Sequence, residues 1–387
     1  MKKKIISYAI PIVIGIALGL GSTWLSGSNA HEHSDSSIMH EVASILIMLV
    51  ALFIAAYLQI ILHEAGHLVC GLASGYRFVS FRVGSFTLIK SNGKLQLKRF
   101  KLAGTGGQCL MAPPSDVQPV DIPTIFYNAG GVLMNLVTAT LALVLLLTCK
   151  NSMPLWLIYF LGSTVVIGYA LALLNGLPLK IGGVANDGHN MLHLGKNKMS
   201  VKGFYSQLVI NEKMQNGERM SLMPEELFDL GGEIDYSDAL QANVELMHIG
   251  RVLDQGHIDQ AHNMLKEIIT FHGHEMLPLL RFEAQSELIF TSLATGDIEQ
   301  AMKLTGDKQL MSYITRHARV MTSKQRIVMA KTLILDGNRD EAQHMLDQVI
   351  ARRNSFLMQG EVESDIELMM QLLNNKNIKE ITQKSTN

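Results

Sequence analysis

Residues His63-Glu64-Ala65-Gly66-His67 form an H-E-x-x-H run. On a helix, positions i and i+4 share one face, so both imidazoles reach a single zinc ion. Glu64 then lies beside the metal, where a carboxylate takes a proton from an activated water. Zinc makes hydroxide available near neutral pH because it lowers the pKa of water to about 7. The run closes an uncharged apolar stretch, residues 42–62, where a glutamate and two histidines without partners would be costly. The bland alternative is a structural pair of helix-capping histidines. Cys70, Cys109 and Cys149 have no paired spacing, which argues against a disulfide framework and against a cysteine zinc site. Cys70 follows the motif on the same helix and reads as a small buried hydrophobe.

The elements that must position this motif are apolar and long. Four stretches of the 387-residue chain reach the roughly 20 residues that a bilayer-spanning helix needs: 5–25, 42–62, 124–147 and 155–174. The first follows Lys2, Lys3 and Lys4 and is longer than a signal-peptide core, so it reads as a retained anchor. Segment 26–41 has no Lys or Arg, whereas 76–123 carries Arg77, Arg82, Lys90, Lys94, Lys98, Arg99 and Lys101. The positive-inside rule then puts the N-terminus, the 76–123 loop and everything after the fourth stretch in the cytoplasm. His63 comes about 32 Å of helical rise after Val42, which places the motif near the cytoplasmic face.

An H-E-x-x-H inside an apolar span resembles the site-2 protease family of intramembrane zinc proteases. That family carries a second motif, an Asn-Pro-rich stretch ending in Asp-Gly, whose Asp is the third zinc ligand. Here Asn175-Gly176-Leu177-Pro178 is followed by Asp187-Gly188. The resemblance implies His63, His67 and Asp187 as metal ligands and Glu64 as catalytic base. The charge reading places Asp187 and His63 on the same membrane side. The stretch between Pro178 and Asp187 is longer than in the family, which leaves His189 and His193 as nearby alternatives. The family also keeps polar residues on the intervening span. Asn128 and Asn135 fill that place, either for substrate and catalytic contacts or for interhelical hydrogen bonds beside Gly130 and Gly131. The resemblance covers residues of about 42 to 190.

Within the basic loop, residues 78–83 and 94–98 alternate as two strands, with Asn92-Gly93 as a turn signal, and read as a hairpin. Its edge would either hold an unwound substrate segment as an added strand or merely cover the site. Gly104-Thr105-Gly106-Gly107 lacks the ending of a phosphate loop and reads as a hinge or a close backbone approach. His31, His33 and His40 sit in the outer segment, where a polar loop is the plainer reading than metal capture.

The tail repeats a short pattern at Gly256-His-Ile-Asp-Gln-Ala261, Gly296-Asp-Ile-Glu-Gln-Ala301 and Gly337-Asn-Arg-Asp-Glu-Ala342. In each, Gly ends one helix, the acidic residue starts the next and Ala permits close packing. The pattern resembles the turn of tetratricopeptide repeats, although its period is longer than theirs. The expected architecture is therefore all-α dominated. It comprises an anchor and outer loop (1–41), a membrane-embedded metalloprotease domain with a small cytoplasmic hairpin (42–195) and a cytoplasmic helical-hairpin domain (196–387).

The expected function is zinc-dependent cleavage of membrane-associated polypeptides near the cytoplasmic leaflet of a bacterial plasma membrane, with the tail open to a protein partner. Two rivals are a catalytically silent membrane scaffold and a metal transporter. A net charge of -1 excludes bulk electrostatic binding of nucleic acid.

Overall fold

The computed structural model describes residues 38–91, 94–99, 106–181 and 184–375. The apolar stretch 5–25, His31, His33, the Asn92-Gly93 turn and Gly104-Thr105 lie outside them.

Three long apolar helices form the first half of the described chain: α1 (Ile38–Ala73), α2 (Thr124–Cys149) and α3 (Leu155–Gly176). Proline punctuates them: Pro123 precedes α2 and Pro154 precedes α3, where a missing N–H costs nothing. Gly75 (φ +84°) stops α1, and the Tyr76 N–H returns 2.9 Å to the Gly71 carbonyl. The segments Glu41–Ala73, Thr124–Ser152 (α2 with the 3-10 turn that follows it) and Leu155–Gly176 have mean hydropathies of 2.8, 2.3 and 2.1, and each is long and apolar enough to cross a membrane.

Their side-chain placement fits such a setting. Large residues such as Phe53, Val137, Leu141 and Trp156 face outward, while Ala55 and Ala139 are fully buried. A Cβ on Gly168 would stand 2.8 Å from that of Ala139, and one on Gly66 would stand 2.1 Å from the Gly130 carbonyl oxygen. Helices in lipid gain no hydrophobic drive from meeting each other, so small residues that allow close approach carry the contact.

A four-stranded antiparallel sheet follows α1: β1 (Arg77–Val83), β2 (Phe86–Ser91), β3 (Lys94–Arg99) and β4 (Gly107–Ala112), in the order β3-β2-β1-β4. This corrects the two-strand hairpin expected from sequence. The two segments read as strands become β1 and β3, which do not pair. Each pairs with β2, which lies between them. Phe86–Ser91 is a third alternating segment, entered through Gly84 (φ +58°) directly after β1. β4 is buried at nearly every position, so its apolar run lacks the two-residue period that marks a half-exposed strand. A two-residue ribbon, β5 (Lys180–Ile181) with β6 (Val184–Ala185), leads into the short helix α4 (Asp187–His193).

The rest of the described chain is helical. It runs through α5 (Lys198–Gln215), α6 (Ala239–Asp254), α7 (Ile258–Phe271), α8 (Pro278–Thr295), α9 (Ile298–Thr305), α10 (Lys308–His317), α11 (Thr322–Ile334), α12 (Arg339–Arg352) and α13 (Gln359–Asn374). The three repeated turns behave alike. Gly256, Gly296 and Gly337 all have positive φ, and Ala261, Ala301 and Ala342 are fully buried. Asp297 and Asn338 cap the following helices through their side chains, accepting from the Gln300 and Glu341 N–H groups.

Helix α5 joins the two halves. Its Phe204 and Leu208 pack with Tyr76, Val79, Cys109 and Tyr127 beneath the sheet. Ile89 of β2 meets Leu357 just before α13.

Candidate metal centre

His63 and His67 lie one turn apart on α1, about ten residues before its end. Asp187 is the first residue of α4, delivered beside them by the turn after α3. Asn186 fixes that delivery. Its side-chain oxygen accepts from the N–H groups of Leu179 and His189 (both 3.0 Å), and its amide donates to the carbonyls of Leu174 (2.6 Å) and Leu177 (2.7 Å). Gly188 completes the approach, because a Cβ there would stand 2.2 Å from the Gly176 carbonyl oxygen. The Asp-Gly pair thus has two reasons: a carboxylate for the site, and a residue without a side chain for docking α4 on the end of α3.

Three atoms converge. His63 Nε2 and His67 Nε2 are 3.2 Å apart, and Asp187 Oδ2 lies 3.1 Å from the first and 3.4 Å from the second. A tetrahedral ion with bonds of about 2.0–2.1 Å, as zinc makes, requires ligand–ligand edges of about 3.3–3.4 Å. The triangle has that size.

The hydrogen bonds around it set the tautomers. His63 Nδ1 lies 2.7 Å from Asn135 Oδ1, and His67 Nδ1 lies 2.9 Å from the Tyr127 carbonyl oxygen. Both partners accept, so each Nδ1 carries the proton and each Nε2 presents a lone pair. Asp187 Oδ2 is buried and has no hydrogen-bond donor. Three acceptors therefore face one another with no proton between them, an arrangement that a cation satisfies. Among the described residues, His63, His67 and Asp187 are the one group of this kind able to hold a metal ion.

A supporting shell holds the first histidine. Asn135 is fully buried, and its amide donates to the Gln59 carbonyl (3.0 Å) and to Gln59 Oε1 (2.6 Å). Gln59 Nε2 in turn donates to Thr138 Oγ1 at 3.1 Å. Of the two readings of Asn135, the geometry shows interhelical bonding, to Gln59 and to His63 of the triangle. Asn128 sits apart from the triangle. It donates to the Thr124 carbonyl (2.7 Å) and accepts from Asn190 Nδ2 (3.3 Å), which ties the start of α2 to α4.

Glu64 points toward β4. The Cys109 backbone N–H is directed at its carboxylate, which lies beside His63, His67 and Asp187. A Cβ on Gly107 would stand 2.6 Å from Glu64 Cγ, so the second half of the glycine run makes a close approach to the glutamate itself. Gly131 does the same for the histidines: its Cβ would stand 2.4 Å from His63 Cε1 and 2.6 Å from His67 Nε2.

Other sequence candidates are not brought to the triangle. His189 and His193 stack on each other at 4.5 Å. Cys70 and Cys109 are buried free thiols, and burial pushes the Cys109 thiol up to about 12. Sequence reasoning missed Gln59, Tyr127 and Asn186. Gln59 had a usable signal, since 59, 63 and 67 form one polar stripe at helical spacing in an otherwise apolar span. Tyr127 contributes to the site through its main chain, and main-chain contacts leave no signature in residue type.

In comparisons with protein-family models, curated proteins and solved structures, nothing matches the chain.

Proposed function

We propose that the chain is a zinc-dependent endopeptidase embedded in a membrane, cutting membrane-associated polypeptides. The observation that carries this reading is the triangle of lone pairs with Glu64 beside it. Held by His63, His67 and Asp187, zinc would supply Lewis acidity, both to lower the pKa of water and to polarise a scissile carbonyl. Asn135 and the Tyr127 carbonyl keep the two imidazoles aimed and in the Nδ1–H form. Glu64 takes the proton of the attacking water and later hands it to the leaving amine.

Substrate geometry supports the same reading. A transmembrane helix shields its peptide bonds, so the reacting segment must unwind. β4 is an edge strand beside α1, and an extended segment added to it would run past Glu64. In the present arrangement the Cys109 carbonyl accepts from Tyr127 Oη (3.1 Å) and its N–H faces Glu64. An incoming strand would exchange those contacts for its own.

For topology we favour four spans, with residues 5–25 as the first and with the sheet, α4 and the tail in the cytoplasm of a bacterial cell. The cations of the 76–123 segment support that orientation. The tail would then select or regulate substrates.

The test is Glu64→Gln in proteoliposomes with a single-pass substrate. Cleavage should fall by at least about a thousandfold while bound metal is retained. Undiminished cleavage contradicts the mechanism. The scaffold reading gains instead if a cellular phenotype survives Glu64→Gln but is lost when residues 200–387 are removed.

A further inference from the structure

The tail encloses a second candidate site, far from any metal chemistry. A cavity of about 470 Å³ lies among the helices of the tail, with walls from α5, α6, α7, α8, α10, α11 and α13. That volume lies within the range of ligand clefts, roughly 300–1,000 Å³. One part of the wall is apolar and rich in methionine, including Met214, Met220, Met247 and Met321. Such side chains repack around varied aliphatic groups.

The other part is ionic. Glu283 accepts from Tyr313 Oη and from Lys324 Nζ, the latter at 2.6 Å. Arg326 spends Nε on Asp365 (2.7 Å) and Nη2 on Glu287 (2.6 Å). Asp254 is held by Arg219 at 2.6 Å. Two groups are left over. Glu361 takes part in none of the ion pairs among the described residues, and the Ser323 hydroxyl is its hydrogen-bond partner. Arg326 is 3% exposed, and its third nitrogen, Nη1, is buried with no acceptor. A buried donor in that state costs about 1–3 kcal/mol unless a partner arrives.

The five carboxylates Asp254, Glu283, Glu287, Glu361 and Asp365 outnumber the three cations Arg219, Lys324 and Arg326 that face them. The wall therefore favours a cation, with an acceptor group beside it.

We propose that this cavity binds a peptide segment carrying one basic side chain between apolar neighbours. Glu361 is its counter-ion, and Arg326 Nη1 donates to a peptide carbonyl. The apolar flanks rest on the methionines. Helix α5 brings Met214 to the cavity and Leu208 to the cluster that includes Cys109, so one rigid element touches both the cavity and the core under β4. The inference does not depend on the metal centre.

The test uses the full chain in detergent, in a Glu64→Gln background so that no cleavage interferes. Titration calorimetry compares the peptide acetyl-Ala-Leu-Met-Lys-Leu-Ala-Leu-amide with its norleucine counterpart, which keeps the aliphatic stem and removes the charge. The lysine peptide should bind at least tenfold more tightly, and Glu361→Gln should abolish that preference. Leu279→Trp, at a rim position 47% exposed and able to accept the larger ring without disturbing the core, should weaken both peptides. Equal binding of the two peptides, an unaltered preference in Glu361→Gln, or no heat at millimolar peptide would overturn the proposal. Cadaverine binding as tightly as the lysine peptide would also overturn it, and would assign the cavity to a small diamine.

Discussion

Asn135 and Gly131 show how little freedom the centre allows its neighbours. Asn135 stands behind His63 with every polar atom engaged at zero exposure. Replacing it by Leu keeps the bulk and removes the acceptor at His63 Nδ1. The ring then loses both its orientation and its fixed tautomer. Metal affinity should fall about 10–100-fold, read by competition with a chelator of known strength. Unchanged affinity would show that His63 is held by packing alone. Gly131 bounds the site from the other side. His63 and His67 fill the space of its missing Cβ, and no flexible side-chain end is there to yield. The histidines and Glu64 were legible in sequence because their types and spacing are themselves the signal. The glycines were legible only as small residues, since which glycine touches which atom depends on the crossing of α1 and α2.

Among the elements, the helical tail matched its sequence reading most fully. Three short patterns at nearly equal intervals gave three turns with left-handed glycines and buried alanines. Gly296 has open space around it, so its conformation rather than crowding decides the effect of substitution. Gly296→Ala should therefore destabilise the tail by about 1 kcal/mol, seen as a lower melting temperature of the full chain. A neutral result would mean that the turn does not need its positive φ.

The α13 helix carries a pH dependence. Burial first, and then the neighbouring charge of Asp365, push the Glu361 carboxyl up to about 7. Asp365 lies on its own helix, Glu287 faces it from α8, and Lys324 and the Ser323 hydroxyl face it from α11. The folded state thus holds a proton that the unfolded chain releases near the ordinary carboxylate value of 4.5. Between those values the folded form binds more protons, so stability falls as pH rises. The loss should reach at most about 3 kcal/mol between pH 4.5 and pH 7. Hydrogen exchange in α11 and α13 should report it for the native chain, and Glu361→Gln should flatten it. Equal pH profiles for the two would contradict the assignment.

The sheet was the least legible element. Its two alternating strands were visible, but their partners were not. β2 follows a two-residue turn that breaks no obvious pattern, and β4 is buried on both faces by α1 and α5. Burial on both faces removes the alternation by which a strand is recognised.

For the molecule as a whole, the metal centre joins residues more than a hundred positions apart. α1 supplies two atoms and α4 the third, and α4 lies in the chain between the three-helix bundle and α5. A bound ion would therefore tie the bundle to the segment that begins the tail. Three helices among the described residues are long and apolar enough to cross a membrane, and the case for a fourth span rests on the apolar stretch 5–25 of the sequence. The central claim is that His63, His67 and Asp187 together hold one zinc ion. X-ray absorption at the zinc edge, with metal quantification, on the purified full-length Glu64→Gln chain tests it most directly. The account predicts one zinc per chain with two nitrogen ligands at about 2.0–2.1 Å and oxygen at about 2.0–2.2 Å. Asp187→Ala should lower the zinc content severalfold, whereas the double substitution of His189 and His193 by Ala should leave it intact. Zinc content indifferent to Asp187, or a coordination shell without two imidazoles, would contradict the account.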